Sequence, residues 1–348
     1  MKKVVLTGIR QMELLSAPEP LLTDENDVKI RLASIGVCGS DIHYYAEGKI
    51  GTQVVSYPFA VGHECSGYIV ETGSAVNNVK TGDLVVVDPA VHCGYCDQCL
   101  SGRPHTCRNN RFLGCPGQLE GCLSEYIVMP SFTCFPVSGK LNPVQAALIE
   151  PFSIGVYSVK QAGITNEGIS SVIFGAGPIG LSILLKLSAD GISNVGMVEP
   201  LDYRLQKAGE TGARYLVNPE REDVEEAVKR FEDLFVDVVF EASGEQQAVN
   251  DAIKILKPGG KLVLVGIPPS AQYTFDMDLM RRKELTVINI RRQNHCVQEA
   301  INLAVSGKVN LEKMVTHHFS LEQSDIAFDM VAGYKDGAIK AMIDFMPQ

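Results

Sequence analysis

Residues 93 to 107 read CGYCDQCLSGRPHTC and set Cys93, Cys96, Cys99 and Cys107 in a C-x2-C-x2-C-x7-C array. Four thiolates on one short loop can converge on a tetrahedral ion and fill all of its positions. That closed arrangement suits a structural zinc, because a catalytic zinc keeps one position open. Two disulfides would use the same residues, but the compact spacing and ten cysteines without an export signal point to reduced thiols and metal. Upstream stands Gly36-Val37-Cys38-Gly39-Ser40-Asp41-Ile42-His43, and His63 follows 25 residues beyond Cys38 in Gly62-His63-Glu64. A thiolate, an imidazole and a carboxylate are competent zinc ligands, and three of them leave a fourth position for water or substrate. Glu150, in Leu148-Ile149-Glu150-Pro151, is a further carboxylate able to ligate or to share a bound water. Sequence alone does not choose between Glu64 and Glu150.

A second chemistry begins where Ser171–Phe174 runs into Gly175-Ala176-Gly177-Pro178-Ile179-Gly180 and then the apolar Leu181–Leu187. A GxGxxG at a strand-to-helix junction is a dinucleotide signature. Gly175 permits the tight turn, Gly177 lets backbone approach a pyrophosphate, and Gly180 brings helix and sheet together. The helix N-terminus then offers free N–H groups and partial positive charge, and Pro178 gives up an N–H that has no intrahelical partner. Glu199 follows 24 residues after Gly175, where an acid accepts the ribose hydroxyls and repels a 2′-phosphate. NAD is the expected cofactor, although nearby Arg204 is a residue type that holds a 2′-phosphate. Val265 and Gly266, at the end of a later strand, are expected to line the nicotinamide half.

These motifs need elements to hold them. The first half of the chain carries short β-like runs punctuated by glycine, Val28–Ala33, Ser66–Glu71, Leu84–Asp88 and Ser124–Met129, which predict a compact β-rich domain. From Ser170 six β-branched or aliphatic runs follow: Ser171–Phe174, Val195–Glu199, Tyr215–Val217, Asp237–Glu241, Lys261–Gly266 and Leu285–Ile290. Most are separated by helical periodicity, as in Leu201–Thr211 and Gln246–Leu256, so the fold class is α/β with a doubly wound, parallel six-stranded sheet. A helix is expected to begin at Pro151, another to cover Gln298–Val305, and a closing strand Ala338–Phe345.

With 348 residues, 45% hydrophobic and 21% charged, the chain is long enough for two domains of a soluble protein. A formal net charge of −10 excludes a broad nucleic-acid surface; the longest basic run is Arg281-Arg282-Lys283. The most apolar segment, Val172–Leu185, is broken by Gly175, Gly177, Pro178 and Gly180 and falls short of the ~20 residues a membrane span needs. The N-terminal MKKVVLTGIRQMELL is too short in apolar length for a signal peptide, and a cytoplasmic location is expected.

GVCGSDIHYY, VGHE, the four-cysteine loop, ALIEP and GAGPIG, in that order, resemble the zinc-dependent medium-chain alcohol and polyol dehydrogenases over essentially the whole chain. HYYAEGKIG, YPFAVGHE and ALIEPFSIGVYS are most similar to the sorbitol (L-iditol) and xylitol branch. The resemblance implies a GroES-like catalytic domain over 1–152 and 293–348 and a Rossmann domain over 153–292. It implies a catalytic zinc on Cys38, His63 and Glu64 with Glu150 beside them, a structural zinc on the four-cysteine loop, and a Ser40–His43 proton relay. Tyr44, Phe112 and Arg291 would line the polyol pocket, and a homotetramer or homodimer is expected. Where relatives often follow that arginine with tyrosine, this chain has Arg292, so a carboxylate or phosphate on the substrate stays open. Galactitol-1-phosphate-like and L-threonine 3-dehydrogenases are the alternative enzymes; the threonine enzymes usually carry threonine at position 40. A nucleotide-binding scaffold without catalysis is disfavoured, because Ser40, His43 and every ligand candidate are present. Cys65, Cys115, Cys122, Cys134 and Cys296 read as packing residues.

Overall fold

The computed structural model describes residues 1–164, 168–231, 235–269 and 272–345. The chain divides into two compact units, Met1–Glu150 with Ala300–Val305 and Val315–Gln348, and Pro151–Glu299 with Ser306–Met314.

In the first unit the spine is the ten-residue strand Asp27–Gly36, buried along nearly its whole length. One edge pairs antiparallel with Glu64–Thr72. The other edge is shared end to end, Tyr126–Pro130 against residues 27–31 and Lys340–Asp344 against residues 34–36. Leu84–Val87 and Cys134–Pro136 extend one side of this seven-stranded sheet and Val315–Phe319 the other. Its core is built from Val28, Ile30, Leu32, Ile35, Val85, Val87, Ile127 and Met129. Beyond the spine the chain turns into helix α1, Gly39–Glu47, with Cys38 as N-cap. The N–H of Cys38 donates to Asp41 Oδ2 at 3.3 Å, and Gly48 ends the helix at φ 73°, a left-handed value that glycine takes without strain.

Helix α2, Asp97–Leu100, is a single turn inside the four-cysteine loop. Helix α3, Pro143–Ala162, begins eight residues before the expected start at Pro151, which lies inside it. The reason is a cap at Asn142: Gln145 N–H donates to Asn142 Oδ1 (2.9 Å) while Asn142 N–H donates to Gln145 Oε1 (3.1 Å). Reciprocal capping of this kind satisfies two backbone donors that a helix start leaves open.

The second unit contains six parallel strands in the order Tyr215–Val217, Val195–Val198, Ser171–Phe174, Val236–Glu241, Leu256–Leu264, Thr286–Asn289. Helix α4, Pro178–Ala189, follows the first strand of the sheet in sequence, and helix α5, Asp202–Thr211, the second. This is the doubly wound order expected from the alternating runs. The return to the first unit comes later than residue 293. Lys186 Nζ lies 3.3 Å from Glu299 Oε1 and Ser182 Oγ bonds Met314 Sδ at 3.6 Å, ties that keep those segments with the second unit.

Helices α3 and α4 meet where Gly155 faces Ser182, and a Cβ on Gly155 would lie 2.6 Å from the Ser182 carbonyl carbon. Gly155→Ala is expected to destabilise the protein by about 1–3 kcal/mol through overpacking against backbone that cannot yield. An unchanged midpoint in urea denaturation would show that the two helices part freely.

Candidate active site

One ligand atom each from Cys38, His63 and Glu64 lies within 4.8 Å of the other two. Cys38 reaches the cluster as the N-cap of α1, and Glu64 opens the strand Glu64–Thr72 directly opposite Gly36. A Cβ at Gly36 would stand 2.2 Å from Glu64 Oε2, so a side chain there would displace the Glu64 carboxylate. His63 Nδ1 lies 3.2 Å from Asp41 Oδ1, and fully buried Asp41 also accepts the N–H of Gly62 at 3.1 Å. A proton on Nδ1 donated to that carboxylate leaves Nε2 as the lone pair a metal requires. Glu64 is fixed from the other side, where Lys340 Nζ donates to Glu64 Oε2 at 2.6 Å and to Val37 O at 3.1 Å, both side chains being 1% exposed.

The electrostatics of this cluster are those of a buried charge network. Burial works to lower the His63 pKa, but Asp41 and Cys38 together carry it well above the usual imidazole value. Burial likewise opposes the charge on Lys340, and Glu64 and Cys38 override it upward. Burial pushes the Glu150 carboxyl up to about 8, with Glu64 and Asp88 adding to the rise and His63 and Lys340 opposing it. Glu150 stands outside the three-residue group whose ligand atoms converge, so it is Glu64 that joins Cys38 and His63. Ser40 Oγ lies 3.4 Å from Cys38 Sγ; His43, three residues on, is partly exposed with Nδ1 3.2 Å from Glu47 Oε1. The Phe112 ring packs against the His63 ring at 5.3 Å between centroids, and Tyr44 OH donates to Gln53 Oε1 at 3.2 Å.

In the thiolate loop the sulfur separations are 3.6 Å for Cys96–Cys99, 3.8 Å for Cys96–Cys107, 3.5 Å for Cys93–Cys107 and 4.0 Å for Cys93–Cys99. A tetrahedron with metal–sulfur bonds of ~2.3 Å has edges of ~3.8 Å, so the loop has the shape of an all-cysteine zinc cage. Against the pull of burial, the N–H groups of Tyr95 and Cys96 and the Asn109 side chain bring the Cys93 thiol down to about 6. The N–H groups of Cys99 and Arg108 lower Cys96. Burial, with the Cys96, Cys107 and Cys93 sulfurs adding to it, pushes Cys99 up to about 12. Four sulfurs so close cannot all ionise without a cation among them.

In the second unit Gly175 takes φ 93°, a left-handed value at the turn between strand and helix. A Cβ on Gly180 would meet Gly175 O at 1.8 Å, whereas one on Gly177 would meet only the end of the Arg204 side chain, in ordinary contact with Nη1 at 3.8 Å. The turn is thus packed against backbone at Gly180 and faced only by a flexible cationic side chain at Gly177, which fits a dinucleotide cradle. Pro178 stands at the start of α4, followed by Ile179. Buried Glu199 accepts the N–H of Ala176 (2.8 Å) and of Leu201 (3.0 Å). Val265 and Gly266 both donate their N–H to Glu241 O, at 2.8 and 2.9 Å. Arg291 and Arg292 follow the last strand of the sheet, with Arg292 at φ 55°.

Two residues that hold the cluster escaped the motif reading. Asp41 stood in plain view within GVCGSDIH, three residues after Cys38. Lys340 had a subtler mark, a lone charge in the apolar run Ala338-Ile339-Lys340-Ala341-Met342-Ile343. A third correction concerns Cys115, expected only to pack, which also accepts Gln53 Nε2 at 3.0 Å.

Comparison with known proteins follows the same division. Residues 24–139 match the alcohol dehydrogenase GroES-like domain and residues 178–306 the zinc-binding dehydrogenase model. The chain is 33% identical over 344 residues to a sorbitol dehydrogenase of Bacillus subtilis, covering 99% of this chain and 97% of that one. It is 35% identical over 345 residues to a D-xylulose reductase A of Aspergillus oryzae, covering 97% and 95%. Among solved structures, a galactitol-1-phosphate dehydrogenase from Escherichia coli superposes with a TM-score of 0.90 at 27% identity, covering 99% of this chain and 100% of that one. Among the described residues, no helix is long and apolar enough to cross a membrane.

Removing Lys340 would strand the buried Glu64 carboxylate. Lys340→Met is expected to cost about 3–5 kcal/mol in urea denaturation, and adding Glu64→Gln should recover most of that loss. Purely additive effects in the double variant would show that the two side chains do not depend on each other.

Proposed function

The chain belongs to the zinc-binding dehydrogenases that carry an alcohol dehydrogenase GroES-like domain, and from that premise we propose that it oxidises a secondary hydroxyl of an acyclic polyol to the ketose, with NAD+ as acceptor. The observation that carries this reading is the convergence of Cys38, His63 and Glu64, a mixed sulfur, nitrogen and oxygen set of three that would leave a four-coordinate ion one position for substrate. The sorbitol and xylulose names of its relatives supply the substrate class.

Cys38, His63 and Glu64 would hold a catalytic zinc, the four-cysteine loop a structural one, and the turn Gly175–Gly180 with Glu199 the dinucleotide. When bound, zinc supplies Lewis acidity that lowers a hydroxyl pKa from about 16 toward neutrality, and nicotinamide supplies a hydride acceptor. The protein's own groups do the rest. Asp41 fixes the imidazole tautomer, and Lys340 holds Glu64 in place while offsetting part of its charge. Ser40 Oγ would take the proton of the reacting hydroxyl while giving up its own toward His43, three residues further along α1 and partly exposed, which can release a proton to water. Glu199 is already committed to two backbone donors, and its remaining lone pairs accept the ribose hydroxyls; its charge disfavours a 2′-phosphate. Arg204, whose Nη1 lies 3.8 Å from where a Gly177 Cβ would stand, would contact the phosphates of the dinucleotide.

A phosphorylated polyol is the second reading, favoured by the adjacent Arg291 and Arg292 and by the likeness to a galactitol-1-phosphate dehydrogenase. The strand Thr286–Asn289 ends its sheet with one paired edge, a surface suited to assembly into a homodimer or homotetramer. All ten cysteines are free thiols, in keeping with a reducing cytoplasm.

NADH formation with sorbitol, xylitol, galactitol, galactitol 1-phosphate and threonine tests the substrate class; turnover of threonine alone would sink it. Cys38→Ala should reduce zinc from two equivalents per chain to one and abolish turnover while leaving NADH affinity within a few fold; metal analysis and fluorescence titration read both. Glu199→Ser should erode the preference for NAD over NADP, and an unaltered ratio of kcat/KM values would remove Glu199 from the ribose site.

A further inference from the structure

Gln53 lies in the short hairpin formed by Lys49–Ile50 and Gln53–Val54. Its amide is gripped from two directions. Tyr44 OH donates to Oε1 at 3.2 Å, and Nε2 donates to Cys115 Sγ at 3.0 Å. Tyr44 and Cys115 are 5% and 3% exposed, whereas Gln53 itself is only half-buried. A primary amide has two N–H donors and an oxygen with two lone pairs, so these contacts consume one of each. Exchanging the amide oxygen and nitrogen leaves the same remainder, because the Tyr44 hydroxyl and the Cys115 thiol can each donate or accept. The immobilised amide therefore keeps one donor and one acceptor, the complement of a hydroxyl group.

Its position is set by the elements that hold the metal ligands. Asp41 and Tyr44 lie three residues apart on the buried face of α1, neighbours about 5–6 Å apart at Cβ. Asp41 bonds His63, and Tyr44 bonds Gln53. On the opposite side the segment that carries Cys115 is pressed onto the same histidine: the Phe112 ring packs against the His63 ring at a 54° tilt, and a Cβ on Gly114 would lie 2.7 Å from Gly62 O. The amide is thus tied through Tyr44 to the same helix that carries Asp41, the group that orients the His63 imidazole.

We infer that Gln53 is a specificity-determining residue, its amide binding a second hydroxyl of the substrate next to the one being oxidised. This rests on the polyol reading of the site. A chain with a neighbouring hydroxyl satisfies both remaining valences of the amide, and a plain secondary alcohol leaves them unmet. Cys115 and Tyr44 act as positioning residues for that amide.

The test compares the zinc-loaded wild type with Gln53→Leu and Gln53→Glu on xylitol, sorbitol and 2-pentanol. In both variants kcat/KM for the polyols should fall about ten- to a hundredfold, mainly through KM, while that for 2-pentanol stays within about twofold. Zinc content and thermal midpoint report folding, and the near-isosteric glutamate keeps the test open if leucine disturbs the hairpin. Equal losses on polyols and 2-pentanol, or no loss on either, would overturn the role of Gln53 while leaving the polyol reading intact. A wild type that prefers 2-pentanol to every polyol would overturn that reading, and this inference with it.

Discussion

Charge buried beside charge is the constraint around which the first unit is built. Asp41, Glu64 and Glu150 lie within a few residues' reach of the His63 imidazole, all nearly sealed from solvent. Stranding any one of them would cost several kcal/mol, so each needs an answering group. Asp41 is answered by His63 and two backbone N–H groups, and Glu64 by Lys340. At Glu150 burial outweighs the pull of His63 and Lys340, and its raised pKa is the result. A divalent cation held by the Cys38 thiolate and the Glu64 carboxylate would close the balance.

The second unit meets its constraint with backbone instead of charge. Its glycine turn is tight because Gly180 lies against Gly175 O, and it stays in register with the neighbouring strand because Glu199 clasps the N–H of Ala176. A carboxylate in that clasp lowers the freedom of the turn before any nucleotide arrives. Gly244 and Gly266 repeat the theme at the next strand ends, where a Cβ on Gly266 would collide with Gly244 N at 2.3 Å.

Much of this was legible in the chain because the determinants are local. The four cysteines lie within fifteen residues, the glycine turn within six, and the six parallel strands each carry their own apolar run. Candidate metal ligands separated by 25 residues are legible as well, because Cys38 and His63 each stand in a recognisable local motif. Legibility failed where a role depends on tertiary pairing. Lys340 meets Glu64 only because Lys340–Asp344 lies against the same spine strand as Glu64–Thr72. Gln53 gains its partners only when its hairpin, α1 and the segment carrying Cys115 come together. The early start of α3 is a different case, since its Asn142–Gln145 cap is local and Pro151 lies inside the helix rather than at its start.

The distance along the chain between Glu64 and Lys340 has a consequence for biosynthesis. They are 276 residues apart, so at 5–20 residues per second a ribosome spends roughly 14–55 s between making the acid and making its counterion. During that interval the nascent polypeptide has cysteine, histidine and glutamate in hand but lacks the strand that seals them from water. The four-cysteine loop, complete by residue 107, has no such wait. If both clusters take up an ion, the four-cysteine loop would do so on an emerging chain and the Cys38, His63 and Glu64 cluster only in a finished fold.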